Sequence, residues 1–188
     1  FMKQYEFLIS EIARVTKPGR ITAVHCTDII SHKNGGGLWD FPAEIVNLSF
    51  QISSEWMSTS LEHRALVLNA VANSIEADPL QFIYLLMHEA GKTIQDAHDE
   101  IREAVDFLRY YAQQSASLNS QSSQLGPTGE DNILEYSPKG LVACISPWNF
   151  PLAITLGQIA AALVTGNTVI AKASEETSLI AFKAISLF

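Results

Sequence analysis

Cysteine is nearly absent from this 188-residue chain: Cys26 and Cys144 stand alone, without CxxC spacing. That excludes a disulfide framework and a thiolate zinc site, and both residues read as reduced thiols. Long apolar runs are missing too, since the stretch from Leu152 to Val164 is broken by Thr155, Gly157 and Gln158. No transmembrane segment is expected from it. The opening Phe1-Met2-Lys3-Gln4 carries no basic-then-apolar leader with a small-residue cleavage site, which predicts a cytoplasmic location. Basic charge is scarce, with 12 Lys and Arg against 20 Asp and Glu and a net charge of −8. Without a Lys/Arg run or basic–aromatic interleaving, nucleic acid is not an expected partner. Neither GxGxxG nor GxxxxGK[ST] occurs, so the usual dinucleotide fingerprint and the P-loop are both missing. His25, His32, His63, His88 and His98 lack HExxH or any other ligand spacing, and no metal is expected.

What is present suits one globular α/β unit: 47% hydrophobic, 9% aromatic and 17% charged residues. An amphipathic helix is predicted over Gln4 to Val15, stopped by Pro18-Gly19, followed by a β-branched run at Ile21-Thr22-Ala23-Val24. Gly35-Gly36-Gly37 reads as a flexible surface loop rather than a phosphate cradle, having no strand-to-helix context. Apolar residues then recur at helical steps from Leu61 to Glu76, from Leu80 to His88, and from Thr93 to about Ala112. Glu89, Asp96, Asp99, Glu100, Glu103 and Asp106 alternate with Lys92, Arg102 and Arg109 and read as a solvated helix face. A segment rich in Ser, Gln, Gly and Pro follows and marks the best internal boundary.

The final third changes character. Leu141-Val142-Ala143-Cys144-Ile145 has the form of a buried strand, a long apolar helix pattern ends at Gly166, and Thr168-Val169-Ile170-Ala171 forms a second strand before another helix. Strand, helix, strand and helix in that order predict a parallel βαβα unit. Ligands of such sheets sit at the carboxyl ends of the strands, which points to Ser146 to Phe150 and to Lys172 to Glu175. Asn149 lies between two prolines and two aromatics, a setting that holds an amide rigidly enough to donate to an oxyanion. An Asn there also serves as a cap for the next helix. Lys172 and Glu175 offer donors and an acceptor to a ribose, or are a surface Lys and a helix-start Glu favoured by the macrodipole.

The run Ile145-Ser146-Pro147-Trp148-Asn149-Phe150-Pro151-Leu152, followed by Gly166-Asn167-Thr168-Val169-Ile170-Ala171-Lys172-Ala173-Ser174-Glu175-Glu176-Thr177, closely resembles the aldehyde dehydrogenase superfamily. Within it, Glu89-Ala90-Gly91-Lys92-Thr93, Gly126-Pro127-Thr128-Gly129-Glu130 and the stretch from Arg102 to Ala112 resemble the glutamate-semialdehyde dehydrogenase module of bifunctional proline utilisation proteins. The resemblance implies the N-terminal part of an aldehyde-dehydrogenase-like α/β fold: helices, then the first βαβα of a parallel Rossmann-like sheet. It divides the chain into a mainly helical segment (1–112), a connection (113–136) and the βαβα unit (137–188), with the catalytic domain absent. By position it implies Asn149 as the oxyanion amide, Lys172 and Glu175 as ligands of the adenosine ribose of NAD, and Ser146, Pro147 and Trp148 as lining of the cofactor cleft. Ala173-Ser174 departs from the commoner Pro-Ala pair beside the ribose site. Glu175 would repel a 2′-phosphate, which favours NAD over NADP.

The implied activity is oxidation of glutamate semialdehyde to glutamate, by a protein that is a homo-oligomer when intact. Cys144, inside the first strand, is not a candidate nucleophile, and the isolated chain is expected to be inactive. An exposed sheet edge is expected beside the second strand. The other readings are a non-catalytic nucleotide-binding or scaffolding fragment, and a dehydrogenase of another aldehyde.

Overall fold

A computed structural model describes residues 24–25, 55–118, 123–124, 126–130 and 132–188. The helix expected over Gln4 to Val15, the loop at Gly35 to Gly37 and Cys26 lie outside the described residues.

Three helices form the front layer. In α1 (Leu61–Ala77), Ser60 Oγ accepts from His63 N at 3.1 Å to satisfy a first-turn donor, and Leu68, Val71, Ala72 and Ile75 are buried. Asp78 ends α1, and Pro79 starts α2 (Pro79–Glu89) at a position that needs no N–H. Gly91, at φ 64°, closes α2 as Ala90 N and Lys92 N both donate to Leu86 O. The third helix, α3 (Ile94–Leu118), starts where Thr93 Oγ1 accepts from Asp96 N and donates to Asp96 Oδ2. It continues beyond Ala112 into the segment expected to be a connection. Ser115 is buried there and donates to Ala112 O at 2.7 Å, so a hydroxyl that composition assigns to a loop is satisfied within the helix.

Two short strands, β2 (Ser123–Gln124) and β3 (Asn132–Ile133), pair antiparallel. The main sheet joins β1 (Val24–His25), β4 (Leu141–Ile145) and β5 (Thr168–Lys172), all parallel, in the order β1-β5-β4. Helix α4 (Ala153–Val164) crosses from β4 to β5, and a 3-10 turn (Glu175–Thr177) leads into α5 (Ser178–Ile185). The expected βαβα order is present. The edge expected beside β5 is not: Val24 and His25 pair with Ile170 and Ala171, making β5 central and β4 an edge among the described strands. Strand neighbours are set by long-range pairing, which a local β-branched run does not encode.

Helix α4 is the hub. Leu152, Leu156, Ala160 and Val164 join the core formed with α1 and α3, while Ile159, Ala162 and Leu163 pack with Cys144, Val169 and Ala171 of the sheet. A helix buried on both sides needs an apolar surface all round, as this one has. Gly157 lets α3 approach, since a Cβ there would lie 3.1 Å from the Phe107 ring. Both ends of α4 are held by side chains of the front layer. At its start Glu100 Oε1 accepts from Leu152 N at 2.8 Å and Ala153 N at 3.1 Å. At its end Trp56 Nε1 donates to Leu163 O at 2.9 Å, and Arg64 Nη1 lies 3.5 Å from Val164 O.

The turn after α4 depends on Gly166, whose φ of +88° suits glycine and whose missing side chain leaves room for Arg64. Asn167 is buried beside it, accepting from Lys139 N and Gly140 N through Oδ1 and donating to Ala162 O and Thr165 Oγ1 through Nδ2. That one amide ties the entry of β4 to the exit of α4 and sets the relative position of the two strands' N-terminal ends.

Candidate active site at the carboxyl ends of the strands

The parallel register carries the ends of β4 and β5 to one place, with Ile145 opposite Lys172 and Ser146 N donating to Lys172 O at 3.0 Å. Ser146 is buried, and its Oγ has no hydrogen-bond partner among the described residues. Such a hydroxyl is costly to leave unsatisfied and suits a site that a polar ligand completes. Pro147 is half-buried and Pro151 buried, which stiffens the turn from β4 to α4. The two aromatics of this turn differ from the anchors expected of them. Trp148 is 58% exposed and Phe150 is 40% exposed, with the Phe150 ring lying beneath Lys92 Nζ, 4.0 Å from the ring centroid.

Asn149 is exposed and makes no hydrogen bond among the described residues. It does not cap α4: the cap residue is Leu152, and Glu100 accepts from the first backbone donors. That removes the capping alternative for Asn149. Asn149 is one of the residues lining an open cavity of about 360 Å³, with Gly91, Lys92, Asp96, Asp99, Glu100, Glu103 and Phe150.

Two carboxylates read from sequence as a solvated face have other duties. Glu100 is 1% exposed and pairs with Lys92 Nζ at 2.7 Å through Oε2. Glu89 accepts from Leu179 N at 2.9 Å and Ile180 N at 2.7 Å, supplying the acceptor that the cap residue Thr177 does not provide to α5. Both place negative charge at a helix N-terminus, where the macrodipole favours it. Acid spacing along one helix carries no signal for contacts to another helix's amides. The residue at the cap position of α4, Leu152, has no side-chain acceptor, so the acceptor comes from elsewhere. Because Glu100 occupies the start of α4, that helix N-terminus is not open to a phosphate, the usual arrangement after a first βα turn.

At the carboxyl end of β5, Lys172, its last residue, is half-buried, and Glu175, three residues on, is exposed. Glu176 has its carboxyl held below the usual range, chiefly by the hydrogen bond from Ser174, then by a backbone bond, with Lys172 a smaller contributor. Among the described residues no three His, Cys, Asp or Glu converge as metal ligands, and no helix is long and apolar enough to cross a membrane.

Cys144 is 3% exposed on β4, and burial pushes its thiol up to about 11 from 9.0. Only the thiolate reacts with alkylating reagents, so native Cys144 should be labelled by iodoacetamide far more slowly at pH 8 than the urea-unfolded chain. Site-resolved mass spectrometry at the two conditions checks this, and equal rates would contradict it. The same shift has a stability consequence. A folded pKa above the unfolded one gives a contribution that is complete below about pH 9 and lost as pH rises through about 11.

The family profile described as "Aldehyde dehydrogenase family" matches residues 43–188. The chain belongs to this family. Among aldehyde dehydrogenase relatives, it is 48% identical over 133 residues to the bifunctional protein PutA of Salmonella typhimurium, which covers 70% of this chain and 9% of that protein. It is 37% identical over 148 residues to 1-pyrroline-5-carboxylate dehydrogenase 1 of Halalkalibacterium halodurans, covering 79% and 29%. A crystal structure of a Bradyrhizobium japonicum proline utilization A variant aligns with TM-score 0.77 and 38% identity over 97% of this chain and 17% of that one. A Thermus 1-pyrroline-5-carboxylate dehydrogenase with bound NAD gives TM-score 0.71 and 29% identity over 77% and 29%. The chain therefore spans less than a third of the length of these aldehyde dehydrogenases, and its mixed helix and strand fold with a small parallel sheet matches part of theirs.

Proposed function

We propose that this chain is the front part of an NAD-dependent dehydrogenase that oxidises L-glutamate γ-semialdehyde to glutamate in proline catabolism, and that it does not turn over alone. The observation that carries this reading is Asn149, exposed just past the carboxyl end of β4 on a turn held at both ends, without a hydrogen bond among the described residues and lining an open cavity. Attack by a thiolate from outside this chain on the aldehyde carbon puts negative charge on the carbonyl oxygen. The Nδ2 of Asn149 donates to that oxygen and stabilises the charge. Cys144 is excluded as the nucleophile by its burial and raised pKa.

The residues at the strand ends fit NAD. Ser146 offers a buried, unsatisfied hydroxyl, Lys172 ends β5 with Glu175 three residues on, and Glu100 occupies the start of α4 where a pyrophosphate would otherwise bind. Lys172 would donate to the ribose hydroxyls and Glu175 accept from them, with Glu175 disfavouring a 2′-phosphate. Pro147 and Trp148 would line the cleft. NAD, when bound, accepts the hydride. We further read the intact protein as a cytoplasmic homo-oligomer acting on a small aldehyde, with 137–188 as the first βαβα unit of its NAD-binding domain.

The test is NAD titration of this polypeptide by calorimetry, with an NAD-reduction assay on glutamate semialdehyde. Weak or absent binding with no turnover is expected. Turnover by this chain would overturn the reading, and tight binding without turnover would favour a nucleotide-binding remnant over an incomplete dehydrogenase.

A further inference from the structure

The turn from β4 to α4 is fixed by two different devices. On one side Ser146 N is bonded to Lys172 O, within the sheet. On the other, Leu152 N and Ala153 N share Glu100 Oε1, while Glu100 Oε2 pairs with Lys92 Nζ at 2.7 Å. Lys92 in turn lies over the Phe150 ring at 4.0 Å, and its side chain is only 11% exposed. The ion pair thus grips the residue immediately after Asn149 and the next two backbone amides beyond Pro151. Asn149 itself has no hydrogen bond among the described residues to hold its amide. Its direction is inherited from the backbone on either side.

We propose that Glu100 and Lys92 are positioning residues for Asn149, their buried pair fixing the turn that holds Asn149 at the carboxyl end of β4. This rests on the reading of Asn149 as the oxyanion donor. A buried pair costs desolvation and is weak evidence for stability as such, whereas its use in fixing one geometry accounts for its location. Neither residue touches the reacting atoms in this account. Displacing an oriented group by about 1 Å costs up to roughly 100-fold in rate.

The experiment is a set of double-mutant cycles in the complete dehydrogenase that carries these residues. Glu100→Gln keeps an acceptor for the two amides and abolishes the ion pair, and should lower kcat roughly 10- to 100-fold with the aldehyde KM within about twofold. Glu100→Gln/Lys92→Met leaves no unpaired buried charge, so it tests the same loss of positioning where the single variant fails to fold. Amide hydrogen exchange at Leu152 and Ala153 should quicken in both. In an Asn149→Ala background the Glu100→Gln penalty should fall to within about threefold, because the group being aimed is gone. A penalty that persists undiminished there overturns the positioning role and leaves Asn149's role intact. A kcat loss that disappears once rates are normalised to folded protein also overturns it. If Asn149→Ala alone leaves kcat unchanged, both readings fall together.

Discussion

Asn149→Ala should lower kcat of the complete dehydrogenase roughly 10²- to 10³-fold, about 3 to 4 kcal/mol of barrier, with little change in aldehyde KM. The asymmetry follows from when the charge appears. A ground-state carbonyl oxygen is weakly basic and gains little from one amide, whereas the oxygen of the tetrahedral species carries a developing negative charge that an amide donor stabilises far more. Asn149 is suited to act at that moment because its own hydrogen bonds are not spent elsewhere: α4 takes its N-terminal acceptor from Glu100 instead. Steady-state kinetics on glutamate semialdehyde, with circular dichroism to establish that the variant is folded, provides the check. A raised KM with unchanged kcat would mean that Asn149 binds the aldehyde without stabilising its oxyanion.

Arg64→Met is expected to destabilise the fold by about 3 kcal/mol, equivalent to roughly 10 °C in Tm for a chain of this size. Arg64 is 7% exposed, and desolvation lowers its pKa from the ordinary value. Its guanidinium donates to Thr59 Oγ1 at 3.1 Å, Met57 O at 2.9 Å and Thr59 O at 2.6 Å, reaches toward Val164 O, and lies 5.9 Å from the centre of the Trp56 ring. Methionine preserves much of the volume and none of the donors, leaving the buried Val164 carbonyl and the part-buried Met57 and Thr59 acceptors without this partner. Arg109→Met is the contrasting case, because Arg109 pairs with Glu76 at the surface, where such pairs contribute little. Urea unfolding of both variants beside the unsubstituted chain measures the difference. A loss for Arg64→Met as small as that for Arg109→Met would mean that the guanidinium cluster is not needed to hold α4.

The parts legible in the sequence are those encoded over a few neighbouring residues. The periodicity from Leu61 to Glu76 matches α1, the Pro79 and Gly91 signals bracket α2, and the apolar runs at Leu141 and Thr168 are parallel strands. The same logic located the strand ends and brought Ser146, Asn149, Lys172 and Glu175 to one edge of the sheet. What it missed depends on contacts between distant residues. Glu100 looks like any acid on an amphipathic helix until α3 lies against α4, and Glu89 until α2 meets α5. The neighbour of β5 and the exposure of Trp148 are likewise set by what packs alongside, and the continuation of α3 to Leu118 by a Ser whose hydroxyl bonds within its own helix.

The two ends of α4 are finished by residues that belong to other helices, Glu100 at one terminus and Trp56 with Arg64 at the other. A βαβ crossover cut away from the helical layer that precedes it would carry a central helix with unsatisfied amides and carbonyls at both tips. Such a piece has no reason to fold first. Formation of the parallel sheet should therefore wait on, and be cooperative with, docking of α1 and α3, so that a single unfolding transition spans both layers and neither survives proteolytic separation from the other.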